Sequence, residues 1–219
     1  MKKRHILLSS HNLQFEGAPI FLLNLARGLY KEFDFTVISP QDGPLREQFE
    51  ELKINVQVLD YFNPKNLPEI KKLIQKLDIQ LIVFNTILLH KFILDLKELD
   101  KKFVWIIHES EVALYFQNLC FQKSSFEACN KIVFVSAATS KLYERWKKHS
   151  AHFEVIHNGI DLQSIEQFKK SNPVHKIRKK YGHKNTDLIF ADIGTLCARK
   201  GQKDLIEVFI SLLIVEKIV

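Results

Sequence analysis

Short apolar runs that alternate with amphipathic stretches dominate the first 160 or so residues and constrain what this chain can fold into. The runs are His5–Ser9, Phe35–Ser39, Val56–Leu59, Leu81–Asn85, Phe103–His108, Ile132–Ser136 and Glu154–His157. Most are near-continuous Val, Ile, Leu and Phe, the signature of strands covered on both faces. Between them Ala18–Lys31, Pro44–Leu52, Pro68–Leu77, Leu88–Leu99, Val112–Ala128 and Ala138–Trp146 read as helices. Repeated strand–helix alternation implies parallel strands joined by right-handed crossovers. Residues 1–161 are therefore expected to form one doubly wound, Rossmann-like α/β domain.

The first helical stretch illustrates the reading. Pro19 suits a first turn, where its missing N–H is not needed. Ile20, Leu22, Leu23, Leu25, Ala26 and Leu29 cover most of the surface, and Asn24, Arg27 and Lys31 leave a narrow polar stripe. Such a helix is expected to lie largely buried against the sheet. Phe116, Phe121 and Phe126 are expected in the core of a helical region. Phe outnumbers Trp and Tyr, at 17 against 2 and 5, which suits packing more than sugar stacking.

After Asn158-Gly159-Ile160-Asp161 the character changes. Residues 162–186 are rich in Lys, His, Gln and Asn and read as a basic linker with a short helix. Residues 187–219 open a second α/β unit, with a strand Leu188–Ile193, a loop Gly194–Gly201 and a helix from about Gln202 to Leu213. One βα unit cannot bury its own apolar faces. The second α/β domain is accordingly expected to be incomplete, and the chain truncated relative to its architecture.

Charge and cysteine usage bound the partners. A net charge of +7 favours an anionic ligand or an anionic surface. Cys120, Cys129 and Cys197 show no metal-ligand spacing, and three is an odd number for a disulfide framework. The basic N-terminus is followed by too short an apolar run for a signal peptide or membrane span. A cytoplasmic protein is expected, at most peripheral at the inner face of an anionic membrane. Lys176–Lys180 raises nucleic acid as a partner, but no basic platform interleaved with aromatics appears, so none is expected. Lys147-Lys148-His149 reads as a solvated face, or else as a contact with anionic lipid.

Ligands of open parallel sheets bind beyond the carboxyl ends of the strands. Three loops there carry candidate chemistry. In His11–Ala18, Gly17 lets backbone N–H groups approach a phosphate at the positive end of a helix, or simply allows a tight turn. In Trp105–Glu111, His108 leaves a strand into an acidic loop, either facing a substrate under the influence of Glu109 or Glu111, or only bonding a strand end. No Ser or Cys nucleophile elbow lies nearby, which gives hydrolase chemistry little support. In Gly194–Gln202, Arg199 and Lys200 precede Gly201 at a helix start and make a candidate diphosphate clamp, or an ordinary exposed pair. The order GxxxxGK[ST] of a P-loop is absent.

Taken in sequence, four segments resemble the retaining glycosyltransferases of the GT-B fold, family-4 type. Glu16–Ala26 resembles their glycine loop and first helix, and Trp105–Glu109 their strand ending in an active-site His. Val155–Asp161 resembles the crossover that closes the first domain, and Ile193–Phe209 the opening of the donor domain. The resemblance implies transfer of a sugar from a nucleotide-diphosphate sugar to a glycan or lipid-linked acceptor, with retention and no metal or other cofactor. It places Lys200 on the donor diphosphate, with Thr195 and Arg199 beside it, and Gly17 on the same phosphates from the first domain. His108 would line the sugar site as its catalytic residue, with His11 and Glu109 on the acceptor side.

Three departures qualify the likeness. Glu16-Gly17 stands where many members have Gly-Gly, and a carboxylate there repels phosphate. Thr195 stands where many have Arg, leaving Arg199 to supply that charge. The later paired-glutamate motif does not occur within the chain, so little activity is expected from it alone unless a separate chain supplies the donor domain. The alternative is a non-catalytic module that binds a glycan, lipid or protein.

Overall fold

The computed structural model describes residues 3–110, 123–149 and 152–215. Seven strands, β1 (Arg4–Ser10), β2 (Phe33–Ser39), β3 (Asn55–Val58), β4 (Ile79–Asn85), β5 (Lys102–Ile107), β6 (Lys131–Phe134) and β7 (Phe153–Val155), lie in one sheet. Their order is β3-β2-β1-β4-β5-β6-β7, and every neighbouring pair is parallel. Each strand expected from the apolar runs is present. The chain builds outward from β1 to β3, then returns to pair β4 against the other side of β1. That reversal makes the β1/β4 boundary the topological switch point of the sheet.

Register explains why the runs read as continuous rather than alternating. Leu8 aligns with Val37 on β2 and with Val83 on β4, and all three point to one face. Leu7, Ile82 and Phe84 point to the other. The two faces bury separate cores, so neither parity of residue has to be polar.

On the first face α1 (Gly17–Leu29) and α2 (Leu45–Glu51) pack on Ile6, Leu8, Val37 and Val83. Pro19, Leu22, Leu23 and Ala26 of α1 are buried, at the three- and four-residue spacing of one helical stripe. Ile20 lies off that stripe and is exposed, so α1 is less enclosed than its composition predicts. On the opposite face α3 (Leu67–Lys76) and α4 (His90–Leu96) contribute Ile70, Ile74, Phe92, Ile93 and Leu96.

Aromatic rings fill that second face. Trp105 meets Phe126 at 5.0 Å, Phe126 stacks on Trp146 at 5.7 Å, and Phe134 meets Tyr143 at 5.2 Å. Phe126 comes from α5 (Lys123–Glu127), and Tyr143 follows α6 (Ala137–Leu142), which Ser136 caps by accepting from Thr139 N. The expected helix Val112–Ala128 falls mostly outside the described residues, as do Glu111, Phe116, Cys120 and Phe121.

Contact density divides the chain into two units, Met1–Gly159 and Ile160–Val219. In the second unit residues 162–186 form two helices rather than one. Asp161 caps α7 (Leu162–Ser171) by accepting from Ser164 N, and Asn172-Pro173 ends it because a residue before proline disfavours helix. The helix α8 (Val174–Lys180) follows, closed by Gly182 at φ +75°. Leu188–Ile193, expected as a strand, forms none, and no strand is found beyond residue 160 among the described residues. An isolated extended segment has no ladder to satisfy its backbone, whatever its composition. The helix α9 (Gln202–Val215) forms as expected.

Candidate functional site

The loops leaving β1, β4 and β5 converge at the switch point with the start of α1. Ser10 closes β1, and its carbonyl accepts from the buried Tyr61 hydroxyl at 2.6 Å. Farther along the loop Leu13 is fully buried, and its carbonyl accepts from Leu45 N at 3.0 Å. Gly43 makes that approach possible: a Cβ there would fall 2.5 Å from Leu13 O. The loop between β1 and α1 is thus pinned from below at two points.

Glu16 precedes α1 without capping it. Its Oε2 accepts from Asn12 Nδ2 at 3.1 Å and pairs with His11 Nε2 at 3.2 Å. The Asn12 contact, with help from His11, holds the Glu16 carboxyl below its ordinary range against a smaller cost of burial. The carboxylate that departs from the Gly-Gly pattern is therefore anionic and engaged with its own loop. Gly17 opens α1, and a Cβ there would meet nothing within 4 Å. Nothing in this chain's own packing requires glycine at that position.

His108 follows β5, partly buried, with its Nε2 2.7 Å from Asn85 Oδ1. Asn85 is fully buried at the end of β4, and its Nδ2 donates to Ala18 O at 2.7 Å. One amide thereby links the histidine to the first turn of α1. The edge of Phe21 packs on the His108 ring at 5.0 Å. Burial first, and the nearby His11 second, lower the His108 pKa to about 4, so the ring is neutral at pH 7.

Glu109 turns inward. Its Oε2 accepts from Ile87 N at 3.0 Å and His108 N at 3.1 Å, and its carbonyl accepts from the Tyr143 hydroxyl. Burial raises the Glu109 pKa, and the backbone N–H groups offset part of that rise. Beside it Thr86 holds φ +121°, a strained value outside glycine, with its N–H on Ile106 O and its carbonyl taking Trp105 Nε1.

The remaining candidates lie in the second unit. Ala198–Lys200, which includes Arg199, forms one 3-10 turn closed by Gly201 at φ +74°, directly before α9. The Lys200 stem lies 3.7 Å from where a Cβ on Gly194 would be, and Thr195 O accepts from Gln202 Nε2 at 3.1 Å. The first unit thus gathers His11, Gly17, His108 and Glu109 at one end of its sheet, and in the second Arg199 and Lys200 share the 3-10 turn while Thr195 lies in the loop before it. Asn85 did not stand out in the sequence. Its signal was a lone amide closing the apolar run Leu81–Phe84 at the end of a strand. Among the described residues no cluster of His, Cys, Asp and Glu could hold a metal ion, and no helix is long and apolar enough to cross a membrane.

Solved structures with the same fold include a glycosyltransferase from Rickettsia africae, 19% identical with a TM-score of 0.66, covering 97% of this chain and 58% of that one. Anabaena HepE in complex with UDP-glucose is 17% identical with a TM-score of 0.62, covering 81% of this chain and 50% of that one. A sucrose-phosphate synthase structure from Thermosynechococcus elongatus is 15% identical with a TM-score of 0.50, covering 77% of this chain and 96% of that one. This chain spans about half the length of HepE. No curated protein sequence matches it. Residues 15–164, from the β1 loop to the start of α7, match Glycosyltransferase Family 4. That match covers well over half of the sequence, and the chain belongs to glycosyltransferase family 4.

Proposed function

We propose that this chain takes part in transferring a sugar, a hexose in the simplest case, from a nucleotide-diphosphate sugar to a glycan or lipid-linked acceptor with retention of configuration. The observation that carries the reading is the meeting of His108 with the start of α1 through Asn85, at the switch point of a parallel sheet. An open helix start at Gly17 gives a phosphate room to approach backbone N–H groups. His108 lines the sugar as the catalytic residue, with His11 and Glu109 on the acceptor side. Thr195, Arg199 and Lys200 of the second unit take the diphosphate, whose developing charge is what such a site must stabilise. The UDP-glucose held by HepE supports a nucleotide sugar as the donor class. No metal is assigned a role. A place in cell-envelope glycan synthesis, at most peripheral on the inner membrane face, completes the reading.

A second reading is a non-catalytic module that binds a glycan, lipid or protein. In its favour, Leu188 and Ile193, expected on a donor-side strand, are exposed and outside any strand. Calorimetric titration separates the two. Saturable binding of UDP-glucose that is weakened in Lys200→Ala supports the transferase. Saturable glycan binding, with no response to any nucleotide sugar, would establish the module instead.

A further inference from the structure

Both halves of the Asn85 amide are committed. Nδ2 donates to Ala18 O, and Oδ1 faces His108 Nε2, each at 2.7 Å. A backbone carbonyl accepts only a donor, so the Ala18 contact decides which side of the amide is NH2 and which is C=O. The oxygen left to face the histidine is an acceptor, and an acceptor there requires a proton on Nε2. A neutral imidazole protonated on Nε2 keeps its lone pair on Nδ1. That Nδ1 has no hydrogen-bond partner among the described residues. Phe21 against the ring and full burial of Asn85 leave the pair little freedom to rearrange.

We infer that Asn85 is a positioning residue: it holds the His108 proton on Nε2, so the histidine meets a ligand through Nδ1 as a hydrogen-bond acceptor. An acceptor nitrogen selects a hydroxyl or amide donor and disfavours the oxygens of a phosphate. His108 therefore takes a hydroxyl-bearing group, and the diphosphate lies elsewhere. The tautomer stands on the geometry alone, whereas a sugar hydroxyl as its partner rests on the transferase reading. Because the same amide holds Ala18, the histidine and the glycine loop move as one unit, in the way outer-shell groups orient metal-binding histidines.

The test is a long-range proton–nitrogen correlation spectrum of the full chain with 15N-labelled histidine at pH 7. His108 is expected to show a protonated Nε2 and an unprotonated Nδ1. Asn85→Asp keeps an acceptor against Nε2 and adds a negative charge, so the tautomer should persist while the His108 pKa moves up from about 4. Asn85→Leu removes the acceptor, and the Nε2–H signature should give way to a mixture. A wild-type proton on Nδ1 overturns the inference. An Asn85→Leu chain with a native spectrum and an unchanged tautomer does the same. Should Asn85→Leu not fold, the Asn85→Asp titration decides, and an unshifted His108 pKa counts against the contact. Failure to bind any sugar nucleotide bears on the proposed function and leaves this result untouched.

Discussion

A Cβ on Gly43 would sit 2.5 Å from Leu13 O and 2.7 Å from Leu13 C, backbone atoms already held by Leu45 N. Gly43→Ala is therefore expected to cost about 1–3 kcal/mol, as overpacking does, read as a lower urea midpoint at unchanged slope. Gly17→Ala meets open space, so its stability should stay within about 0.5 kcal/mol of wild type. If phosphate approaches α1 there, only nucleotide-sugar affinity falls. Equal losses of stability in the two variants would contradict this contrast. His108 gives a pH-dependent counterpart. Between its ordinary 6.5 and about 4 the unfolded chain takes up a proton on this ring and the folded chain does not. Stability due to this residue is whole above pH 6.5 and drains away toward pH 4, by about 3 kcal/mol. Denaturation from pH 7.5 to 4 should fall more steeply for wild type than for His108→Gln, which cannot titrate. Parallel curves would mean that His108 is solvated like any surface histidine.

Beyond the ladder bonds that join β4 to β5, the Glu109 side chain ties the two elements together past their carboxyl ends. Its carboxylate ties the end of β5 to the turn that begins at Ile87, taking two backbone N–H groups that would otherwise be orphaned. Glu109→Ala leaves both without a partner, at about 1–3 kcal/mol each. Glu109→Gln keeps an acceptor and removes a charge that burial disfavours, so it should be close to neutral at pH 7. Urea unfolding of both variants checks the difference, and similar losses would show that charge, not hydrogen bonding, is what matters. This inward role was not legible in the sequence, where Glu109 reads as an acidic loop residue beside a histidine. The strands were legible, because Phe103, Trp105 and Ile107 serve one core while Val104 and Ile106 serve the other, leaving no polar gap in the run. The same apolar signal failed at Leu188–Ile193, where Ile193 is 93% exposed. Composition reports a capacity to pair, and only a neighbouring strand turns it into a strand.

At the scale of the whole molecule, strand–helix alternation predicted a parallel sheet, but its order came from which helices cover which face. That order places β1 beside β4 and so brings His11 and His108 together from positions far apart in the chain. Both buried clusters draw only on residues up to Phe153. By contrast α7 and α8 bury none of their residues. Hydrophobic burial is the main favourable contribution to folding, so the stability of this chain resides in Met1–Gly159. Hydrogen exchange on the full chain should accordingly show slow amides in β1, β4 and β5, which open only with global unfolding, and fast amides in α7 and α8. A chain of residues 1–159 should then unfold cooperatively with nearly the midpoint of the full protein. A large drop in that midpoint would mean that residues 160–219 contribute burial of their own. In that case their amides would exchange slowly in the full chain, and the two measurements would agree in rejecting a stability confined to the first unit.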